Sequence, residues 1–252
     1  MCGSCPKYIA SCSFGKDSLA TIIIARQKNE PLHGAVYCEV MFDEQTSGEI
    51  PEHREFIYNV AVPKLQSWGI KTIVLKSEKN YVWDFKRVIQ KGKGCGKINS
   101  FPLCGKCCIQ RDCKVPPIEN YKRSLPGNTV QYIGYAKDET ERLLRLQEGT
   151  SVSLLEKYGI NESDAFEICR SGGLLSPIYE FTNRGGCWFC PNAKQKELRH
   201  LYDYHPDLWA KMLELQALPN KATEYFNRNM RFSDIDYNFR MDDTQTSLFE
   251  EE

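Results

Sequence analysis

The cysteines of this sequence are spaced in a way that indicates chemistry rather than packing alone. Five of the twelve lie within nineteen residues, namely Cys95, Cys104, Cys107, Cys108 and Cys113, and two more form the pair Cys187-x-x-Cys190. Isolated thiols such as Cys12, Cys38 and Cys169 are expected to be small core residues. Close-set thiols in a chain without a recognisable export signal are typical of metal or redox sites. The two groups are therefore candidate metal ligands.

A polar turn after the first apolar run of the chain is the second candidate site. Residues 8–12 are mostly apolar, the turn reads Ser13-Phe14-Gly15-Lys16-Asp17-Ser18, and apolar residues then recur at helical spacing. A strand that leads through a glycine-containing turn into a helix binds anions, because backbone N–H groups and the positive helix end point at the ligand. The spacing is neither that of a Walker A loop nor that of a Rossmann turn. We expect this turn to bind a phosphate group of a cofactor through Ser13, Gly15, Lys16, Asp17 and Ser18.

The elements that must position these residues alternate between strands and helices. Strand-like runs lie at 8–12, 35–42, 71–75 and 130–135, with a weaker one at 174–178, and helical spacing occurs at 19–29, 52–68 and 194–225. This alternation predicts an α/β fold with a parallel sheet. We expect a nucleotide-binding domain at 1–192 with a cysteine-rich basic insertion at 84–123, a helical cap at 193–233 and a mobile acidic tail at 234–252.

The overall composition is that of an ordinary globular protein without net charge. The chain has 252 residues, 33 Lys or Arg against 33 Asp or Glu, and 41% hydrophobic residues, which excludes wholesale disorder. No apolar run approaches the roughly 18 residues of a membrane span, and the N-terminus lacks the pattern of a secretory signal. We therefore expect a cytoplasmic protein with no membrane partner.

Charge is distributed unevenly along the chain. Residues 84–123 contain ten Lys or Arg against three Asp or Glu. Such an excess in an otherwise neutral protein indicates an anionic partner, although a solvated loop is the alternative. A nucleic acid is one candidate partner, and Trp83, Phe85 and Phe101 could stack on its bases. Positions in the core are an equal interpretation for these three rings.

The turn at residues 13–18 resembles the SGGxDS-type PP-loop of the ATP-pyrophosphatase superfamily. Three further stretches resemble motifs of its phosphoadenylyl-sulfate and adenylyl-sulfate reductases, in the same order: 42–43 with 48–52 (DTGxxxPET), 133–139 (GxRxDE) and 176–182 (PIxEWT). Ala136 stands where the second of these motifs has arginine. On this resemblance the chain is identified as a member of that reductase family.

The resemblance implies a doubly wound α/β sheet with a C-terminal helical cap. An adenine nucleotide, either ATP or adenylyl sulfate, would bind at the carboxyl ends of the strands. Lys16 and Asp17 would be catalytic, and Asp17 and Asp43 would organise a Mg²⁺ ion. Gly134 would contribute to the nucleotide site.

Cys107-Cys108 followed by Cys187-x-x-Cys190 resembles the CC…CxxC signature of the iron–sulfur adenylyl-sulfate reductases. It implies a [4Fe–4S] cluster with four thiolate ligands, Cys107, Cys108, Cys187 and Cys190. Cys104 competes with Cys107 as a ligand. One alternative is a zinc site made from Cys95, Cys104 and Cys107 with Cys113 or Cys108, as in some PP-loop nucleoside-synthesis enzymes. Inert thiols are the other alternative.

One departure from the reductases bears on the expected activity. Those enzymes attack sulfate sulfur with a cysteine near the C-terminus, and this sequence has no cysteine after Cys190. The resemblance therefore favours a sulfur-transfer enzyme, or an enzyme that uses ATP to activate an acceptor such as a nucleic acid. A thiol or sulfur donor protein would then be a partner. Arg111 and Lys114 would hold the anionic end of the substrate. The alternatives are a true reductase with a relocated or partner thiol, a non-catalytic nucleotide-binding subunit, and a zinc-containing nucleoside-synthesis enzyme.

Overall fold

A five-stranded parallel sheet forms the centre of the molecule. The computed structural model describes residues 5–102 and 107–250, without the side chains of 245–250. The strands are β1 (Lys7–Ser11), β2 (Gly34–Glu39), β3 (Thr72–Lys76), β4 (Thr129–Ile133) and β5 (Ser151–Val152). Their order is β3-β2-β1-β4-β5, and every neighbouring pair is parallel. The expected α/β fold is confirmed, and the order in which strands are added to the sheet reverses between β1 and β4.

Helices cover both faces of the sheet because the strand side chains alternate between them. On β2, Ala35 and Tyr37 join the apolar cluster around the first helix, whereas Val36 and Cys38 join the opposite cluster with Ile118. The helices are α1 (Lys16–Gln27), α2 (Pro51–Phe56), α3 (Val62–Ser67), α4 (Tyr81–Lys86), α5 (Val115–Ser124), α6 (Thr140–Leu143), α7 (Leu154–Lys157), α8 (Glu162–Ser171), α9 (Gln195–Tyr204), α10 (Pro206–Ala217) and α11 (Phe232–Glu250). Single π turns, Ile57–Ala61 and Gln110–Lys114, precede α3 and α5.

The expected strand at 174–178 is wrong. That stretch lies outside the sheet and enters a 3₁₀ turn at Pro177–Glu180. Pro177 lacks a backbone N–H to donate to a strand ladder, which explains the difference. The fifth strand is instead the two-residue pair of Ser151 and Val152, whose register places Ser151 beside Gln131.

A second apolar cluster joins the C-terminal helices to the basic insertion. It includes Tyr81, Phe85 and Phe101 together with Trp209 of α10. Residues 232–250, which overlap the expected mobile tail from residue 234, are helical. Three side chains at helical spacing, Phe232, Ile235 and Phe239, are buried against the cap. Within the described part of the chain, no helix combines the length and the apolar character needed to cross a bilayer.

Candidate functional site

Residues 13–18, called the PP-loop below after the motif that they resemble, form a tight turn between β1 and α1 whose conformation depends on Phe14. Phe14 has a φ of +58°, in the left-handed region, where a side chain other than glycine is strained. The PP-loops that this turn resembles have glycine at that position. Here the Phe14 ring is fully buried and meets Tyr37 edge-on, with ring centroids 5.2 Å apart. Burial of the ring offsets the backbone strain. Gly15, the next residue, has an extended backbone and is the N-cap of α1.

The stretch after β4 lies directly against the PP-loop. A Cβ atom on Gly134 would lie 2.7 Å from the carbonyl carbon of Asp17 and 2.7 Å from the backbone nitrogen of Ser18. Only glycine permits this approach, which brings the GxRxDE-like stretch to the first turn of α1. The neighbouring Ala136 N–H donates to Glu139, at 3.0 Å. The contact lies at the point where the sheet order reverses, which is where open α/β sheets bind ligands.

The other two motif-like stretches also reach the PP-loop. His53, next to the PET-like residues, is buried, and its Nε2 lies 3.2 Å from the Ser13 carbonyl oxygen. Its Nδ1 lies 2.8 Å from the hydroxyl of Ser176. Tyr179 accepts a hydrogen bond from the Lys16 N–H at 2.8 Å and so caps the start of α1. Sequence reasoning did not single out His53 or Tyr179, although both lie within or beside stretches that it matched.

Lys16 and Asp17 form an ion pair at the start of α1. The Lys16 Nζ lies 2.7 Å from an Asp17 carboxylate oxygen and 3.0 Å from Glu162 of α8. Burial lowers the pKa of Lys16, but the hydrogen bonds to these two carboxylates outweigh it and raise the pKa overall. Burial raises the pKa of Asp17, with a smaller contribution from the charges of Glu139 and Glu162. The lysine is therefore cationic and held among carboxylates at the PP-loop.

One cavity joins the PP-loop to the cysteines. It has a volume of about 380 Å³, and its walls include Ser13, His53, Lys114, Arg142, Arg184, Cys107, Cys187 and Cys190. Arg142 is paired with Glu139, and Arg184 is paired with Glu197 at 3.1 Å. Three cationic side chains line this cavity against one carboxylate, Glu49, and this excess favours an anionic occupant.

The thiols of this cavity are held by local hydrogen bonds. Cys187 and Cys190 close a turn in which the Cys190 N–H donates to the Cys187 carbonyl at 3.1 Å. Arg184 lies 3.6 Å from the Cys190 sulfur and donates to it. Cys107 accepts from the Gln110 N–H at 3.4 Å. Burial raises the pKa of the Cys187 thiol well above its usual range.

Cys108 is oriented differently from its neighbour Cys107. Its thiol donates to the buried carboxylate of Asp84, at 3.0 Å. Burial, followed by this hydrogen bond and the Asp84 charge, raises the pKa of Cys108 to about 12. Asp84 is also bonded to Arg87 and to Asn99. As a metal ligand, Cys108 would have to leave this carboxylate.

The described thiols do not lie close enough together to form a ready-made site for a single zinc ion. Zinc would require sulfur atoms about 3.8 Å apart, because each Zn–S bond is about 2.3 Å long. Among the described residues, no three cysteines have sulfur atoms that all lie within 4.8 Å of one another. A cluster of four irons and four sulfides holds its thiolates further apart than one ion does.

Tyr81 is a second observation consistent with a polar group among these thiols. Its hydroxyl is buried and has no hydrogen-bond partner within the described ranges. The ring stacks on Phe189, between the two cysteines of the CxxC pair, with centroids 4.1 Å apart. Burial raises its pKa well above the usual range, and the neighbouring Cys108, Asp84, Cys190 and Cys187 contribute in the same direction. A cluster sulfur or thiolate would accept the hydrogen bond that this buried hydroxyl lacks.

Several predicted site residues lie elsewhere. Asp43 borders another cavity, where it accepts from the N–H groups of Gln45 and Thr46 and pairs with Lys211 at 2.9 Å. Arg111 is exposed and pairs with Asp112. The residues outside the described ranges include Cys104.

The aromatic side chains of the basic insertion separate into two groups. Phe85 and Phe101 are buried in the core and pack edge-to-face at 5.0 Å, so of the two interpretations the core position applies to them. Trp83 is 42% exposed, with the Lys79 ammonium 4.8 Å from its ring centroid.

No protein-family model matches the chain, and a search of curated proteins finds no match. Among solved structures, it is similar to the U34-tRNA thiolase NcsA from Methanococcus maripaludis with its [4Fe–4S] cluster. The two are 14% identical, with a TM-score of 0.44, over 94% of this chain and 82% of the other. A similarity of this size indicates nothing about ligands or substrates. What this chain binds has to be argued from its own residues.

Proposed function

We propose that this protein is a PP-loop enzyme that binds an adenine nucleotide beside a [4Fe–4S] cluster and takes part in sulfur transfer or ATP-dependent activation of an acceptor. The cluster ligands would be Cys107, Cys108, Cys187 and Cys190. The observation that carries the proposal is the shared cavity, in which Ser13 of the PP-loop faces Cys107 and both cysteines of the CxxC pair. A nucleotide whose phosphates occupy the loop would have its reacting end beside the thiolates.

The nucleotide site would use groups that are already in place. The first N–H groups of α1 and the side chains of Ser13 and Ser18 would donate to phosphate oxygens. Lys16 would exchange part of its present pairing with Asp17 for the phosphates, which would free the Asp17 carboxylate to organise Mg²⁺. With ATP, an acceptor oxygen would bond to the α-phosphorus while the bond to the β-phosphate oxygen breaks and pyrophosphate leaves. With adenylyl sulfate, the same loop would hold the nucleotide phosphate.

The cationic side chains of the cavity would position the second reactant. Lys114 follows the Cys107-Cys108 pair in sequence and Arg184 precedes the CxxC pair, and both border the cavity. They would hold an anionic acceptor, and a nucleic-acid phosphate is one such group. When bound, the cluster would supply Lewis-acidic iron for the sulfur chemistry. The sulfur itself would come from a donor protein or a small thiol.

The test is a set of parallel product assays on anaerobically purified protein. Pyrophosphate release from ATP with Mg²⁺, in the presence of candidate nucleic-acid acceptors and sulfide, is the expected result. Sulfite release from adenylyl sulfate with a thiol donor would instead identify a reductase that uses a relocated or partner thiol. Tight nucleotide binding with neither product under any thiol supply would contradict an enzymatic role and indicate a nucleotide-binding subunit.

A further inference from the structure

A second cluster of metal-ligating side chains lies outside the cysteine cavity. Glu52, His200 and His205 each present one ligand atom, and these atoms all lie within 4.8 Å of one another. The Nε2 of His200 is 2.8 Å from Oε1 of Glu52. The Nε2 of His205 is 3.0 Å from the same oxygen and 3.1 Å from Oε2. Both imidazoles therefore converge on one carboxylate.

Three separate elements hold these side chains in place. Glu52 is in the first turn of α2, directly after Pro51. His200 lies on α9, and His205 occupies the junction between α9 and α10 with a non-helical φ of −134°. The His200 ring is stacked on Phe181, with centroids 3.6 Å apart and planes 7° from parallel. Such a contact fixes the ring orientation before any ligand binds.

We propose that Glu52, His200 and His205 bind a divalent transition-metal ion of the zinc class. Two imidazoles and one carboxylate are the protein ligands of one common kind of catalytic zinc site, in which a fourth position stays open. Bonds of about 2.0–2.2 Å would place tetrahedral ligand atoms roughly 3.3 Å apart. The observed spacing of 2.8–3.1 Å needs to widen by only a few tenths of an ångström. Neutral imidazoles and one carboxylate would leave one net positive charge for an anionic fourth ligand.

The two cationic side chains of α9 that lie next to the site in the fold, Arg199 and Lys196, are engaged with other groups. Arg199, the nearest arginine along α9, is paired with Asp203 and with Asp243. Lys196 donates to the Glu180 carbonyl, at 3.0 Å. A surface cavity of about 320 Å³ borders His200, and all three ligand side chains are partly exposed, so an ion can reach them from solvent.

The proposed ion would lie close to the PP-loop while using none of its side chains. Glu52 directly precedes His53, whose two ring nitrogens contact the Ser13 carbonyl oxygen and the Ser176 hydroxyl. A bound ion would therefore fix the start of α2 and, through His53, one wall of the nucleotide cavity. None of the cysteines proposed as cluster ligands belongs to this group, so the two metal sites can be tested separately.

The test measures zinc binding in the full chain after removal of the competing CxxC thiols. In Cys187→Ser/Cys190→Ser protein, about one equivalent of Zn²⁺ should bind and raise the melting temperature. Once loaded with Zn²⁺, the protein should no longer bind Co²⁺. Without Zn²⁺, the same protein should bind Co²⁺ and show d–d absorption without a thiolate charge-transfer band. Adding His200→Ala and His205→Ala to this variant should remove the bound equivalent of zinc. Adding Glu52→Gln instead should also remove it, although glutamine retains a hydrogen-bond acceptor for the two histidines. Circular dichroism checks that each variant is folded.

Two results would overturn the proposal. Zinc that is absent from the cysteine variant would belong to the thiols, and the histidines would then only donate hydrogen bonds to Glu52. Zinc that survives both the histidine and the Glu52→Gln changes would be bound elsewhere.

Discussion

Replacing Gly134 with alanine tests the close approach between the end of β4 and the PP-loop. The new methyl carbon would lie 2.7 Å from two backbone atoms of Asp17 and Ser18, whereas ordinary contacts begin at 3.4 Å. Backbone on one side must therefore move by about 0.7 Å, the difference between these distances. Overpacking of this kind lowers the free energy of unfolding by about 1–3 kcal/mol. Alanine also reduces the conformational freedom of the unfolded chain, which raises the free energy of unfolding by about 0.4–1 kcal/mol.

The net effect should be a loss of about 1–2 kcal/mol, which corresponds to a melting temperature lower by about 2–8 °C in a chain of this length. Nucleotide affinity should fall as well, because the displaced atoms include N–H groups at the start of α1. Thermal unfolding and calorimetric titration with ATP measure the two effects. Gly94→Ala is the matched control, since its nearest neighbour at 3.0 Å is a movable Ile89 methyl group. Wild-type stability and affinity in Gly134→Ala would refute the reasoning.

Three further predictions concern the loop and the sheet. Phe14→Gly should relieve backbone strain of about 1–3 kcal/mol but lose a buried ring worth about 3–5 kcal/mol, so urea denaturation should show a net loss of stability. Lys16→Ala should abolish nucleotide binding in equilibrium dialysis and leave bound iron unchanged; loss of both would contradict separate sites. Burial raises the pKa of Glu39, but hydrogen bonds from Arg54 and others, including Lys76, outweigh it and lower the pKa. The stability it contributes is therefore present above about pH 4.3, its ordinary value, and is lost as pH falls further, so Glu39→Gln should weaken the dependence of urea stability on pH below that value. An unchanged acid limb would contradict this.

The parts of the fold that depend on local pattern could be predicted from the sequence. The first four strands are apolar runs followed by polar turns, and each was expected within a few residues of its observed bounds. The PP-loop was recognisable because strand, turn and helix are contiguous there. The strand β5 has only two residues, which is too short for a recognisable pattern. The apolar stretch before Pro177 has a more strand-like sequence than β5 and was therefore mistaken for the fifth strand.

The parts that depend on distant residues could not be predicted. Asp43 belongs to a matched motif, yet a turn and Lys211 of α10 hold its carboxylate away from the PP-loop cavity. Glu52 meets His205 across 153 residues, and no local spacing indicates that contact. The aromatic residues of the basic insertion looked equally suited to bases and to a core, and only the packing of the C-terminal helices decides that Phe85 is buried.

The central claim is that the cysteines beside the PP-loop hold a [4Fe–4S] cluster. Its most direct test is the iron, sulfide and zinc content of anaerobically purified protein, measured with the absorption spectrum and repeated on Cys187→Ser/Cys190→Ser. The account predicts about four irons and four sulfides per chain with broad absorption near ~400 nm, all lost in the variant. A colourless, iron-free protein whose zinc is lost in the same variant would contradict it.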